Sequence, residues 1–156
     1  TKDGASQAAK FFYEEALKEA QKSYSLREVP VGGVIVKDGQ VIGRGHNTME
    51  KDHDPSCHAE LHAIRDAAKS LKNWRLTGCT LYVTLEPCLM CAGLMVNARI
   101  DRCVYGAANP KGGALGTVFD VSHVPALNHE FEVVPGPHHR HVVGTRGDGG
   151  ALCGQR

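Results

Sequence analysis

The chain reads as an α/β protein with helices on both faces of one central sheet, and three observations lead there. A pattern of apolar residues at three- and four-residue steps opens the chain, and two β-branched runs then flank an Asp-Gly pair. Further on, a short apolar strand, an apolar helix and a second strand follow one another with short connections. Strand, helix, strand in that order makes a right-handed crossover and a parallel pair.

Each element has its own signal. From Lys10 to Tyr24 the residues Phe12, Ala16, Ala20 and Tyr13, Leu17, Tyr24 recur with charges between them, which predicts an amphipathic helix. VPVGGVIVKDGQVIGRGHN predicts a hairpin, because a two-residue type I′ turn needs positive φ at both central positions and Asp38-Gly39 supplies it at low strain. HAELHAIRDAAKSLKNW is a second helix, with Leu61, Ile64, Ala68 and Leu71 on its apolar stripe. TLYVTL is a buried strand, LMCAGLMVNA a helix apolar nearly all round and therefore expected to be buried, and DRCVYGA a further strand. HEFEVV alternates like a strand. Residues 1–134 thus form one domain, and the Gly- and His-rich tail 135–156, PGPHHRHVVGTRGDGGALCGQR, has no helical or strand period.

The 156 residues suffice for a domain that buries roughly 70% of its unfolded surface, so no cross-links are needed to fold it. A net charge of +1 argues against binding nucleic acid by sheer basicity and limits any such patch to a small one. TKDGASQAAK lacks an apolar leader core, and no later run approaches the length of a membrane span. The expectation is a cytoplasmic protein away from membranes. Its six irregularly spaced cysteines are expected to be free or metal-bound rather than a disulfide framework.

LEPCLMC sets Cys88 and Cys91 three residues apart at a helix start, on one helical face and beside the positive end that lowers a thiol pKa. Such a pair serves redox exchange, a structural zinc knot or an open metal site. Leu89-Met90 between the cysteines, in place of Gly-Pro, weakens the thioredoxin-like reading. The preceding helix starts with His58, and both helices are expected to begin at carboxyl ends of neighbouring strands, where open α/β sheets place their sites. Three converging ligands, His58, Cys88 and Cys91, suit one zinc ion per chain and leave a fourth tetrahedral position for water. A closed structural site would need a fourth ligand such as Cys57, Cys79 or Cys103, and the chain has only one knuckle. Glu60 stands two residues from His58, off its face of the helix, where it can shuttle protons for a hydrolytic deamination. Its bland alternative is a charge that favours the helix N-terminus.

His58-Ala59-Glu60 followed by Pro87-Cys88-x-x-Cys91 resembles the H-x-E…P-C-x-x-C signature of zinc nucleobase deaminases. More narrowly, REVPVGGVIV, GHN, HDPSCHAE, TLYVTLEPCLMCAGLMVNARI, YGA, PKGGALG and LNHEFEV make residues 10 to 134 similar to bacterial tRNA-specific adenosine deaminases. The resemblance implies a three-layer α/β/α, cytidine-deaminase-like fold with a mixed sheet. It also implies conversion of the wobble adenosine of a tRNA anticodon to inosine by a zinc-dependent homodimer. By match, His58, Cys88 and Cys91 bind zinc, Glu60 shuttles protons and Asn47 hydrogen-bonds the purine. Val29 and Leu85 wall the pocket, while Asn109 and Asn128 contact substrate. The partner is a tRNA anticodon loop or other single-stranded nucleic acid, whose base is flipped out and read by stacking and polar contacts.

Two departures stand out. Asn109 occupies a position where the family commonly has Asp; Asn there resembles the change used in adenine base editors that act on DNA, which implies activity on single-stranded DNA. The tail lacks the amphipathic helix with which the family usually ends. Competing readings are a deaminase of free cytosine, guanine or nucleosides, and a structural zinc module that binds RNA without catalysis.

Overall fold

The computed structural model describes residues 2–135, with side chains from residue 7 onward, so the tail 136–156 lies outside the described residues. Helix α1 spans Lys2–Ser25. The hairpin follows as β1, Gly32–Lys37, and β2, Gln40–His46, then a short α2, Met49–Asp52, and α3, Ala59–Leu71. The crossover is β3, Thr80–Leu85, α4, Leu89–Ala98, and β4, Arg102–Ala107. Strand β5, Glu132–Pro135, closes the sheet. The expected β4 and hairpin are present; α1 begins eight residues before Lys10, and HEFEVV pairs only in its second half.

The five strands lie in the order β2-β1-β3-β4-β5. β1 is antiparallel to both neighbours, while β3, β4 and β5 run parallel. Asp38 and Gly39 take φ of 51° and 77°, as the I′ turn requires. The sheet is therefore mixed, and β2, β3 and β4 all end at the same edge.

Alternation along the strands builds two cores. Val34, Val36, Tyr82 and Val104 face α1 and pack with Phe12 and Ala16. Ile35, Leu81, Val83, Leu85, Cys103 and Tyr105 face the other way and join Ala59, Ala63, Ala92 and Met95 of α3 and α4. That gives the three layers.

Three details correct the sequence reading. The stripe on α3 is rotated: Ala59, Glu60, Ala63, Ile64 and Ala67 are buried, whereas Leu61, Ala68 and Leu71 are only half-buried. The cause is close backbone approach, for a Cβ on Gly45 of β2 would overlap the Ala59 carbonyl and the Ala63 amide. The same helix stops at Leu71, where Lys72 turns into the left-handed region. Apolar α4 is not buried all round; Leu89 and Met90 are 52% and 41% exposed, and Gly93 and Asn97 share that outer face. No helix among the described residues is long and apolar enough to cross a membrane.

Candidate active site

His58 and Cys88 occupy equivalent places in the fold, each the N-cap of a helix that starts at the common sheet edge. Both backbones are extended, with φ and ψ of −79° and 157° for His58 and −78° and 177° for Cys88. Neither side chain caps its own helix, so both are directed elsewhere. The sequence suggested that the strands they follow are neighbours, and the structure corrects this: β1 lies between β2 and β3, and its start brings the two ends together.

His58 Nδ1 lies 3.5 Å from Cys88 Sγ and 3.5 Å from Cys91 Sγ. With metal–sulfur and metal–nitrogen bonds of about 2.3 and 2.1 Å, a tetrahedral ion would separate such donors by about 3.6 Å. The three residues thus fit a zinc ion on the spacing of their own atoms. Among the described residues the group contains three protein donors. The cysteines that a closed site would recruit are elsewhere: Cys79 and Cys103 are fully buried in the core, and Cys57 belongs with Asp52 and His62.

Electrostatics separates the thiols into two kinds. Cys88 is held down to about 3, chiefly by its hydrogen bond with Cys91 and also by His58, against the opposing effect of burial. Burial pushes the Cys79 and Cys103 thiols up, and the negative charges of Glu60 and Glu86 raise Cys103 further. Cys88, paired with Cys91, is disposed to bind a cation, and the core thiols Cys79 and Cys103 are not.

Glu60, in the first turn of α3, is fully buried. Asn47 immediately follows β2 and is also fully buried, yet neither its Oδ1 nor its Nδ2 has a hydrogen-bond partner among the described residues. An unpaired buried amide costs about 1–3 kcal/mol. Its backbone is fixed on both sides: the Ser23 hydroxyl donates to the Asn47 carbonyl at 2.8 Å, and the Asn47 N–H donates to Val31 O at 3.1 Å. The next residue, Thr48, donates its N–H to Cys57 O at 3.0 Å, so Asn47 and His58 flank one rung.

The other expected residues divide. Leu85 ends β3 fully buried, three residues before Cys88, and Val29 packs half-buried just ahead of β1 at the same edge. Asn109 is buried, but its Oδ1 accepts the Lys111 N–H at 3.3 Å in a tight turn. Asn128 is exposed and lines a groove of about 570 Å³ along the outer face of α4, with Leu61, Met90 and Asn97.

Sequence reasoning passed over Glu86, one residue from the Pro-Cys pair. Its fully buried carboxylate accepts the N–H groups of Asn109, Leu115 and Thr117 at 3.2, 2.9 and 3.1 Å, and the Thr117 hydroxyl as well. Ala114 N–H donates to Pro87 O at 2.9 Å, and a Cβ on Gly113 would occupy the carboxylate's place. The 109–117 loop is therefore moulded around one anion next to Cys88. No local motif could reveal it, because the donors stand 23 to 31 residues away.

Residues 8–144 match the profile of a family described as MafB19-like deaminase. The tRNA-specific adenosine deaminase of Bacillus subtilis (strain 168) is 47% identical over 125 residues, 80% of this chain and 78% of that protein. A solved structure from work on A-to-I editing by tRNA:A34 deaminases at the wobble position of transfer RNA superposes with a TM-score of 0.78 at 44% identity, covering 81% of this chain and 98% of that one. A guanine deaminase from Bacillus subtilis superposes less well, with a TM-score of 0.61 at 38% identity and 64% of each chain covered.

Replacing Glu86 by Gln removes a charged acceptor and puts an amide donor among donors, at a cost of about 2–3 kcal/mol. Hydrogen exchange should show residues 109–117 losing protection while the bound-metal content is retained.

Proposed function

The chain belongs to the MafB19-like deaminases and, among them, to the tRNA-specific adenosine deaminases; on that premise we propose how its site converts the wobble adenosine of a tRNA anticodon to inosine. The observation that carries the reading is the company the triad keeps. Beside His58, Cys88 and Cys91 lie a buried carboxylate, Glu60, and the buried amide of Asn47, neither of which a purely structural metal knot requires.

His58, Cys88 and Cys91 would hold one zinc ion, which would supply the Lewis acidity that makes water nucleophilic near neutral pH. Glu60 accepts a proton from the attacking water and delivers it to N1 of the purine. It then carries the second water proton to the amine on C6. A C–O bond forms at C6, the C–N bond breaks with its electron pair leaving on nitrogen, and the products are inosine and ammonia. Asn47, a donor and an acceptor in one side chain, satisfies its amide on the purine edge. Leu85 and Val29 wall the base and exclude water from its faces. Asn128, on the groove beside α4, contacts a nucleotide flanking the flipped adenosine, and the 109–117 loop with Asn109 borders the strand on the other side.

Asn109 favours a second substrate. Either Asn or Asp can accept the Lys111 N–H through Oδ1, so the change from the family's usual Asp leaves the turn intact and removes one negative charge beside a nucleic-acid backbone. Single-stranded DNA is accordingly accepted as well. A second copy of the chain packs on the outer face of α4 at the exposed Leu89 and Met90, leaving the Asn128 end of the groove to the nucleotide. Acting on tRNA, the enzyme works in the cytoplasm.

Glu60→Gln should lower ammonia release from an anticodon stem-loop by about 10²–10⁴-fold with zinc content unchanged; full activity in this variant would leave only a metal-binding module. In the same assay a matching DNA oligonucleotide should be converted by the wild type and much less by Asn109→Asp, and equal rates for the two proteins would remove the role given to Asn109. Sedimentation should find two chains per particle in the wild type and one in Met90→Glu.

A further inference from the structure

The segment between Asn47 and His58, together with the first turn of α3, carries a second set of metal-ligating side chains that the deamination leaves unused. Asp52 ends α2, Cys57 immediately precedes the His58 cap, and His62 stands one turn into α3. One ligand atom from each lies within 4.8 Å of the other two. Asp52 is exposed, His62 half-buried and Cys57 buried, so the group has a solvent-facing mouth and a thiol floor.

The group is organised without an ion. The Thr48 hydroxyl donates to Asp52 Oδ2 at 2.7 Å and lies 2.8 Å from His62 Nε2. Thr48 N–H holds the Cys57 carbonyl at 3.0 Å, and Asp52 N–H donates to Thr48 O at 2.9 Å. All three donors therefore hang on one residue's backbone and side chain, and little ordering is left for an ion to impose.

We propose that Asp52, Cys57 and His62 form a second metal site, separate from His58, Cys88 and Cys91, that binds a thiophilic divalent cation, zinc being the natural one. Sulfur, imidazole and carboxylate together suit zinc and serve calcium or magnesium poorly. On binding, the Cys57 thiol gives its proton to solvent and no electrons are transferred. With one thiolate in place of two, and its carboxylate in water, this site is the weaker and fills second. Its effect is to clamp the segment 48–57, whose flanking residues are Asn47 and His58. Nothing in this inference depends on which base the enzyme deaminates.

The test is metal stoichiometry on the whole chain. Metal-free protein is titrated with Zn²⁺ in equilibrium dialysis and, in parallel, with Co²⁺ to follow sulfur-to-cobalt charge transfer. The wild type should take up two equivalents, the second with its own single-thiolate increment in the near-ultraviolet. Cys57→Ala and His62→Gln should each keep the first equivalent and weaken the second by more than about tenfold. Cys88→Ser should keep the equivalent that depends on Cys57. Uptake that stops at one equivalent in the wild type overturns the proposal. So does a second equivalent that survives both substitutions unchanged, which would be an adventitious ion only. Far-UV circular dichroism and the retained first equivalent report on folding, and should a buried substitution unfold the chain, the exposed Asp52→Asn decides by the same criterion.

Discussion

Two helices must begin at one point. The site exists because His58 and Cys88, each the last extended residue before a helix, leave their own helix ends uncapped and turn toward each other until Nδ1 and Sγ stand 3.5 Å apart. That meeting depends on β1. Running antiparallel between β2 and β3, it lets two strands that are not paired with each other finish at the same edge. The tight seat of α3 on Gly45 then fixes the height of His58 above the sheet. A larger residue there would lift α3 and carry His58 and Glu60 away from the thiols together.

A second constraint is the Glu86 carboxylate. A buried anion is costly unless its lone pairs are filled, and here the donors come almost entirely from the loop 109–117. The same hydrogen bonds that make the charge tolerable give the loop its shape. Its position between β3 and Cys88 ties that shape to the His58, Cys88 and Cys91 group, and Ala114 on Pro87 adds a direct link. The loop 109–117 and the start of α4 are thus tied to one another through residues 86 and 87.

The cysteines show how environment decides chemistry for one residue type. Cys79 and Cys103 behave as small core residues with thiols raised by burial; Cys88 is held ionised beside Cys91 and His58. Cys57, adjacent in sequence to His58, lies instead with Asp52 and His62.

Local pattern alone was enough to read β3 and α4 to the residue and to place the Asp38-Gly39 turn of the hairpin, and H-x-E with P-C-x-x-C pointed to the His58, Cys88 and Cys91 group, because strand alternation, turn chemistry and helix-start geometry act over a few residues. Pattern misjudged the inner face of α3, since Leu61 and Leu71 look like core residues until a glycine on β2 admits the alanines instead. It overstated the burial of α4, because apolarity does not say which face meets a neighbour. Only the tertiary structure brought Glu86 to its loop, left the Asn47 amide buried without a hydrogen-bond partner among the described residues, and set Cys57 beside Asp52 and His62. Each of these rests on groups brought together by the order and direction of strands or by the fold of a loop, and residue spacing in a single sequence does not encode that.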